Sequence, residues 1–177
     1  MEERKGEAFE NAQRLTVSGR RRHPADEAPD FCLDYLDLAD LAVRTVSLTE
    51  SAGMVRLLNV VNSLQGPFCQ HVTQQWEALW ADLPANVCLY TVSMDSPQVQ
   101  AGFQDSAGVL HQALSAQRSE QFGQNYGVWL NEWGLFQRAI FVIDPADRIV
   151  YVEYVADQRR EPDYAAALQA AERAAVT

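Results

Sequence analysis

The residues of this chain that could act as nucleophiles or redox centres are Cys32, Cys69 and Cys88, with His23, His71 and His111 as candidate bases or ligands. Cys69 stands apart by its setting. In "NSLQGPFCQHVTQQW", Asn62–Trp76, it follows the end of a nearly continuous apolar run and opens a segment with helical periodicity. A cysteine in the first turn of a helix meets unpaired backbone N–H groups and the positive end of the helix dipole, which favour the thiolate. The thiolate is the nucleophilic form of the side chain. Gly66 lets the loop backbone approach closely and Pro67 fixes its direction. The same position serves an inert buried cysteine equally well, so position alone leaves both readings open. The cysteines are odd in number, widely spaced and without a CxxC pair, which argues against a disulfide framework and a zinc site. The histidines show no ligand spacing. Neither a metal nor another cofactor is expected.

The elements around Cys69 define how it would be held. Met54–Asn62, "MVRLLNVVN", suits a central strand buried on both faces. Val72, Trp76 and Leu79, with Trp80 beside them, mark the buried side of an amphipathic helix. Asn86–Asp95 reads as a second buried strand, with Cys88 inside it as a core residue. Ser96 and Pro97 are an N-cap and first-turn pair that opens another helix. Arg14–Gly19 and Arg44–Leu48 read as short strands, and Ser115–Leu135 as irregular or partly helical. Ala139–Ile143 and Ile149–Val155 flank the turn "DPAD" as a hairpin. An alanine-rich helix ends the chain, with Pro162 suited to its first turn. Strands alternating with helices, closed by a hairpin and a helix, predict an α/β sandwich with a mixed central sheet. Residues 1–13 are polar and expected to be flexible, which leaves 14–177 as a single domain.

A net charge of −10 repels phosphate backbones, so nucleic acid is not an expected partner. The basic run at Gly19–His23 is too short to change that and reads as a solvated turn. No apolar run approaches the roughly 18 residues that span a bilayer, so no membrane association is expected. The N-terminus lacks the apolar core of a secretory signal, which makes the cytoplasm the expected location.

Taken together, several segments resemble the bacterial thiol-peroxidase branch of the peroxiredoxins. "RLTVSG" is similar to that branch's N-terminal β-hairpin and "DEAPDFCL" to its lead-in segment. "NSLQGPFC" stands where the family usually reads P-S-[LI]-D-T-x-V-C. "VSMDSPQVQAGF" resembles S-x-D-x-P-F-A-x-x-R-F, and "QNYGV", "RAIFVID" and "EPDYAAAL" resemble the C-terminal third. The resemblance covers nearly the whole chain. It implies a thioredoxin-like three-layer sandwich with a mixed central sheet and an N-terminal β-hairpin. It also implies that Cys69 attacks the O–O bond of a hydroperoxide to become a sulfenic acid, while Arg138 stabilises the thiolate and polarises the peroxide. A guanidinium suits that role because it is always charged and presents its donors in a fixed fork. Asn62, Gly66, Pro67 and Phe68 would line the substrate's approach. A homodimer and an external thiol reductant such as thioredoxin are implied partners.

The departures define the rest of the reading. Gly66 replaces a threonine whose hydroxyl bonds thiolate and peroxide, Asn62 a shielding proline, and Gln65 an aspartate. Gln104 stands where the family's resolving cysteine would be, and Gly102 replaces the arginine before Phe103. Neither Cys32 nor Cys88 aligns with a resolving position. The chain is therefore read as a one-cysteine peroxidase whose sulfenic acid is recycled by an external thiol. Asn62 could supply an amide donor in place of the lost hydroxyl. The alternative is a degenerate redoxin scaffold that binds a partner or senses oxidants, with Trp129 and Trp133 at an interface. Alkylation at about pH 6–7, where only an easily ionised thiol reacts, should label Cys69 before Cys32 and Cys88. Mapping the labelled peptides checks this, and earlier labelling of either other cysteine removes the assignment.

Overall fold

Val55–Val60 forms a strand in which every residue is buried, as the continuous apolar run requires. It is the centre around which the rest is arranged in the computed structural model, which describes residues 2–176. In chain order the elements are β1 (Glu3–Glu10), β2 (Gln13–Ser18), β3 (Cys32–Leu36), β4 (Val43–Ser47), β5 (Val55–Val60), α1 (Pro67–Trp80), β6 (Val87–Ser93) and α2 (Pro97–Ala107). There follow β7 (Gln112–Ser115), α3 (Gln121–Tyr126), β8 (Trp129–Leu130), β9 (Leu135–Phe136), β10 (Ala139–Ile143), β11 (Ile149–Tyr154) and α4 (Tyr164–Ala175).

Seven strands make one sheet in the order β11-β10-β5-β6-β7-β3-β4. Strands β5, β6 and β7 run parallel, whereas β10, β11, β3 and β4 join antiparallel. Alternation along the strands divides two cores. Val55, Leu57, Val87, Leu89, Ile140 and Val142 pack against Val72 and Trp76 of α1 and the alanine face of α4. Leu58, Val60, Val92 and Phe141 face the other way, onto Phe122 and Tyr126 of α3. This is the thioredoxin-like sandwich with a mixed central sheet. Trp76 is fully buried and stacks edge-on against Tyr164 at 4.9 Å, which fastens α1 to α4.

Residues 3–10, expected to be part of a flexible segment over 1–13, instead form β1, antiparallel to β2. Its pattern is mostly polar because only Ala8 is fully buried, packed with Leu15, Val17 and Leu130, and the rest of the strand is held by side-chain and backbone ties. Arg4 donates to the carbonyls of Gly19 and Gly127, each at 2.7 Å. Phe9 N donates to Ala156 O at 2.8 Å, and Gln158 N to Phe9 O at 2.9 Å. The N-terminal hairpin is thus β1–β2, and it continues through β8 and β9 into a four-stranded sheet.

Three local expectations can be placed, of which the one for Pro162 changes. Ser115–Leu135 contains α3 and the short β8–β9 hairpin as well as β7's last residue. Asp163 is the N-cap of α4, its side chain accepting from Ala166 N, so Pro162 precedes the cap rather than joining the first turn. Trp129 and Trp133 are both half-buried within the small sheet. Trp129 packs edge-on against Phe136 at 6.2 Å, and Trp133 donates to Gln13 Oε1 at 3.4 Å.

Candidate active site

The pairing of β10 with β5 builds the site. Antiparallel register sets Ala139 opposite Val60, so the residue before β10 meets the chain leaving β5. That residue is Arg138. The same register sets Ala139 opposite Tyr154, which brings the segment after β11 to the same edge. Helix α1 starts there. Gly66 is its N-cap in extended conformation, Pro67 follows at the first helical position, and no side chain caps the helix. Cys69 therefore lies in the first turn, as its sequence setting predicts.

Arg138 Nη2 lies 3.5 Å from Cys69 Sγ. Cys69 is 5% exposed and Arg138 1%. A fixed positive charge at this distance attracts negative charge on the sulfur, and a low local dielectric strengthens the attraction. The same Nη2 donates to Asn62 Oδ1 at 3.2 Å and to Gln158 O at 3.0 Å. The guanidinium carbon sits 4.7 Å from the centre of the Phe68 ring, a cation–π contact. Nε and Nη1 of Arg138 are buried with no hydrogen-bond partner. Unpaired buried donors on a guanidinium are costly, and oxygen acceptors are what they fit.

Two of the expected substrate contacts take different parts. Asn62 does not offer its amide N–H groups to the thiolate. Nδ2 donates to Phe136 O at 2.6 Å and to Gln158 Oε1 at 3.0 Å, so Oδ1 faces Arg138 and Cys69. Asn62 thus aligns the guanidinium rather than replacing the missing hydroxyl. Phe68 covers the guanidinium face. Pro67 is exposed, and Gly66 is half-buried in the loop that carries it. Gln158 escaped the sequence reading altogether. It is 2% exposed, its Oε1 accepts from Arg138 N at 2.8 Å, and its Nε2 donates to Val155 O at 2.7 Å. A single glutamine in the polar run "ADQRREP" gives no sign of burial; only the β10–β11 register places it.

The other thiols lie elsewhere. Cys88 is half-buried in β6 rather than in the core, its Sγ 3.5 Å from Met54 Sδ, and burial pushes its thiol up despite the nearby Arg56. Cys32 is exposed at the start of β3. Among the described residues no cluster of His, Cys, Asp and Glu could hold a metal ion.

A thioredoxin-like sheet with a buried cysteine at the head of α1, facing an arginine from the neighbouring strand, defines a thiol-based redox protein. The AhpC/TSA family matches residues 24–152. A thiol peroxidase of Halalkalibacterium halodurans is 38% identical over 162 residues, covering 90% of this chain and 93% of that protein. A thiol peroxidase of Listeria monocytogenes is 34% identical over 161 residues, covering 90% and 94%. The chain belongs to the AhpC/TSA family, in its bacterial thiol-peroxidase branch. Among solved structures, a peroxiredoxin-like protein from Aquifex aeolicus superposes with TM-score 0.78 at 25% identity, covering 90% of this chain and 91% of the other. A thiol peroxidase from Chromobacterium violaceum, at 22% identity and TM-score 0.79, shows the same fold over the same shares.

Gly66 has φ −89° and ψ 136°, and a Cβ there would meet only Ser63 O, at 3.6 Å. A β-branched residue fits that backbone. Gly66→Thr should therefore fold with a melting temperature no lower than the parent's, since threonine is at least as good an N-cap as glycine. Its hydroxyl should speed oxidation of Cys69 by about tenfold or more, because one well-placed donor lowers such a barrier by a few kcal/mol. Thermal unfolding and single-turnover kinetics with hydrogen peroxide check both parts.

Proposed function

We propose that this protein is a one-cysteine thiol peroxidase in which Cys69 is the peroxidatic thiolate and Arg138 its electrostatic partner. The observation that carries the reading is the Arg138 guanidinium, which touches Cys69 Sγ at 3.5 Å and keeps two further nitrogens, Nε and Nη1, unpaired in a buried site. Cys69 Sγ attacks the distal oxygen of a hydroperoxide. The S–O bond forms as the O–O bond breaks, sulfur is oxidised, and the departing alkoxide or hydroxide takes a proton to leave as alcohol or water. Arg138 stabilises the negative charge that moves from sulfur to the departing oxygen.

Reduction then requires a thiol from outside the chain. Disulfide formation needs Cα atoms within about 7 Å. Cys88 is four residues along β6 from Val92, which pairs with Val60 at the end of β5. At roughly 3.3 Å per residue that is about 13 Å from the site's edge of the sheet. Strand β3, with Cys32, is separated from β5 by β6 and β7, about 14 Å at the usual strand spacing. An external thiol attacks the sulfenic sulfur, water leaves, and a mixed disulfide forms; a second thiolate then releases Cys69. Membership of the family supports the finer expectations of a thioredoxin-type dithiol as reductant, a homodimer and a cytoplasmic location.

Non-reducing peptide mapping after one equivalent of hydrogen peroxide tests the assignment. Cys69 should carry the oxidation, as sulfenic acid or as a mixed disulfide with an added thiol, while Cys32 and Cys88 stay reduced. A high-yield disulfide from Cys69 to Cys32 or Cys88 would refute the one-cysteine assignment. An unmodified Cys69 would refute the peroxidase.

A further inference from the structure

The loop between β5 and α1 is fastened at one buried point. Asp95, just past the end of β6, is 7% exposed. Its Oδ1 accepts from Ser63 Oγ at 2.7 Å and from Gln65 Nε2 at 3.5 Å. Its Oδ2 accepts from Leu64 N at 2.7 Å and from Ser93 Oγ at 2.6 Å. Ser93 Oγ in turn accepts from Gln100 Nε2 of α2 at 3.0 Å. Three of the donors to Asp95 belong to consecutive loop residues that lead directly to Gly66 and Cys69. No cation is among its partners in the described residues. A buried carboxylate held only by neutral donors is well placed to fix geometry, since each donor must keep its direction to satisfy it.

We infer that Asp95 is a positioning residue for the Cys69 reaction, latching residues 63–65 so that the sulfur is held against Arg138 and closed to large thiols. The inference rests on the peroxidase reading. Cys69 packs in one apolar cluster with Val61, Leu64 and Phe103. Leu64, whose backbone N–H is bound by Asp95, is thus both latch and wall. A hydroperoxide is small enough to reach a sulfur that is 5% exposed. A reducing thiol must approach the sulfenic sulfur opposite the S–O bond, which the closed loop obstructs. The latch therefore acts with opposite sign on the two half-reactions: it speeds oxidation by holding geometry and slows reduction by limiting access.

Removal of the carboxylate and its isosteric replacement separate geometry from charge. In Asp95→Asn the amide oxygen can take Leu64 N and Ser93 Oγ, while its NH2 donates to Ser63 Oγ, which accepts as readily as it donates. Asp95→Ala satisfies none of these donors. The test measures the half-reactions separately, with Cys69 oxidation by hydrogen peroxide followed by rapid-quench mass spectrometry. Capture of the preformed sulfenic acid is followed by the absorbance of thionitrobenzoate. Asp95→Ala should oxidise about tenfold more slowly or worse, as small misplacements of reacting groups do, and should be captured faster than the parent. Asp95→Asn should restore both rates towards the parent's. Ser63→Ala, which undoes the latch from the loop side, should shift both rates in the same directions as Asp95→Ala, and it decides the matter if Asp95→Ala does not fold. Parent-like rates in the variants that fold, or Asp95→Asn behaving as Asp95→Ala, overturn the inference alone. A parent whose Cys69 resists peroxide overturns the peroxidase reading and this inference with it.

Discussion

A guanidinium taken out of water without a carboxylate to meet it is the constraint on which this site depends. Arg138 is 1% exposed, and the hydrogen-bond partners of its guanidinium among the described residues are the side-chain oxygen of Asn62, the backbone oxygen of Gln158 and the sulfur of Cys69. Burying an uncompensated charge is expensive, and a full ion pair would have offset only part of the cost. Here the one partner able to carry the opposite charge is Cys69 itself. The pair is therefore asymmetric: the arginine is permanently charged, and the sulfur is the group whose charge can change. Neutral groups around it fix direction without neutralising it. The Phe68 ring lies 4.7 Å from the guanidinium carbon. Gln158 holds both ends of the arginine, its Oε1 on the backbone N–H and its carbonyl on Nη2.

The fold supplies this arrangement through register. Four stretches of chain end at one edge of the sheet: the exit of β5, the approach to β10, the exit of β11 and the exit of β6. They deliver Asn62 and Cys69, Arg138, Gln158 and Asp95 respectively. The Ala139↔Val60 and Ala139↔Tyr154 pairings set three of these in depth, and a slip of one residue would turn the side chains to the wrong face. Most of the contacts within the site are polar bonds between loops, while the apolar cores above and below fix the strands that carry the loops. The Trp76–Tyr164 contact, which ties α1 to α4, keeps the helix that presents Cys69 from moving as a body.

How far the sequence revealed this depends on the kind of force at each position. Buried strands and amphipathic helices write themselves as periodicity, so β5, β6 and the face of α1 were legible. Ser96 and Pro97 announced the start of α2, and Ser96 does accept from Val99 N. Cys69 was legible as a helix-start thiol, but Arg138 became a partner only through the resemblance, because pairing across a sheet leaves no local trace. Strand β1 was missed because Arg4 and the backbone hold it. Gln158 was missed because a polar turn can be buried without changing its composition. The orientation of Asn62 depends on Phe136 O, 74 residues away, and no short-range pattern could fix it.

The central claim is that Arg138 makes Cys69 reactive. The most direct measurement is the second-order rate at which hydrogen peroxide converts Cys69 to sulfenic acid in the parent, in Arg138→Ala and in Arg138→Lys. Melting temperatures are taken beside the rates. Loss of a charged donor aimed at the departing oxygen should slow Arg138→Ala by about 10²-fold or more. Arg138→Lys should recover only part of that, because an ammonium keeps the charge but not the fork. A folded Arg138→Ala protein that oxidises Cys69 at the parent's rate would contradict the account.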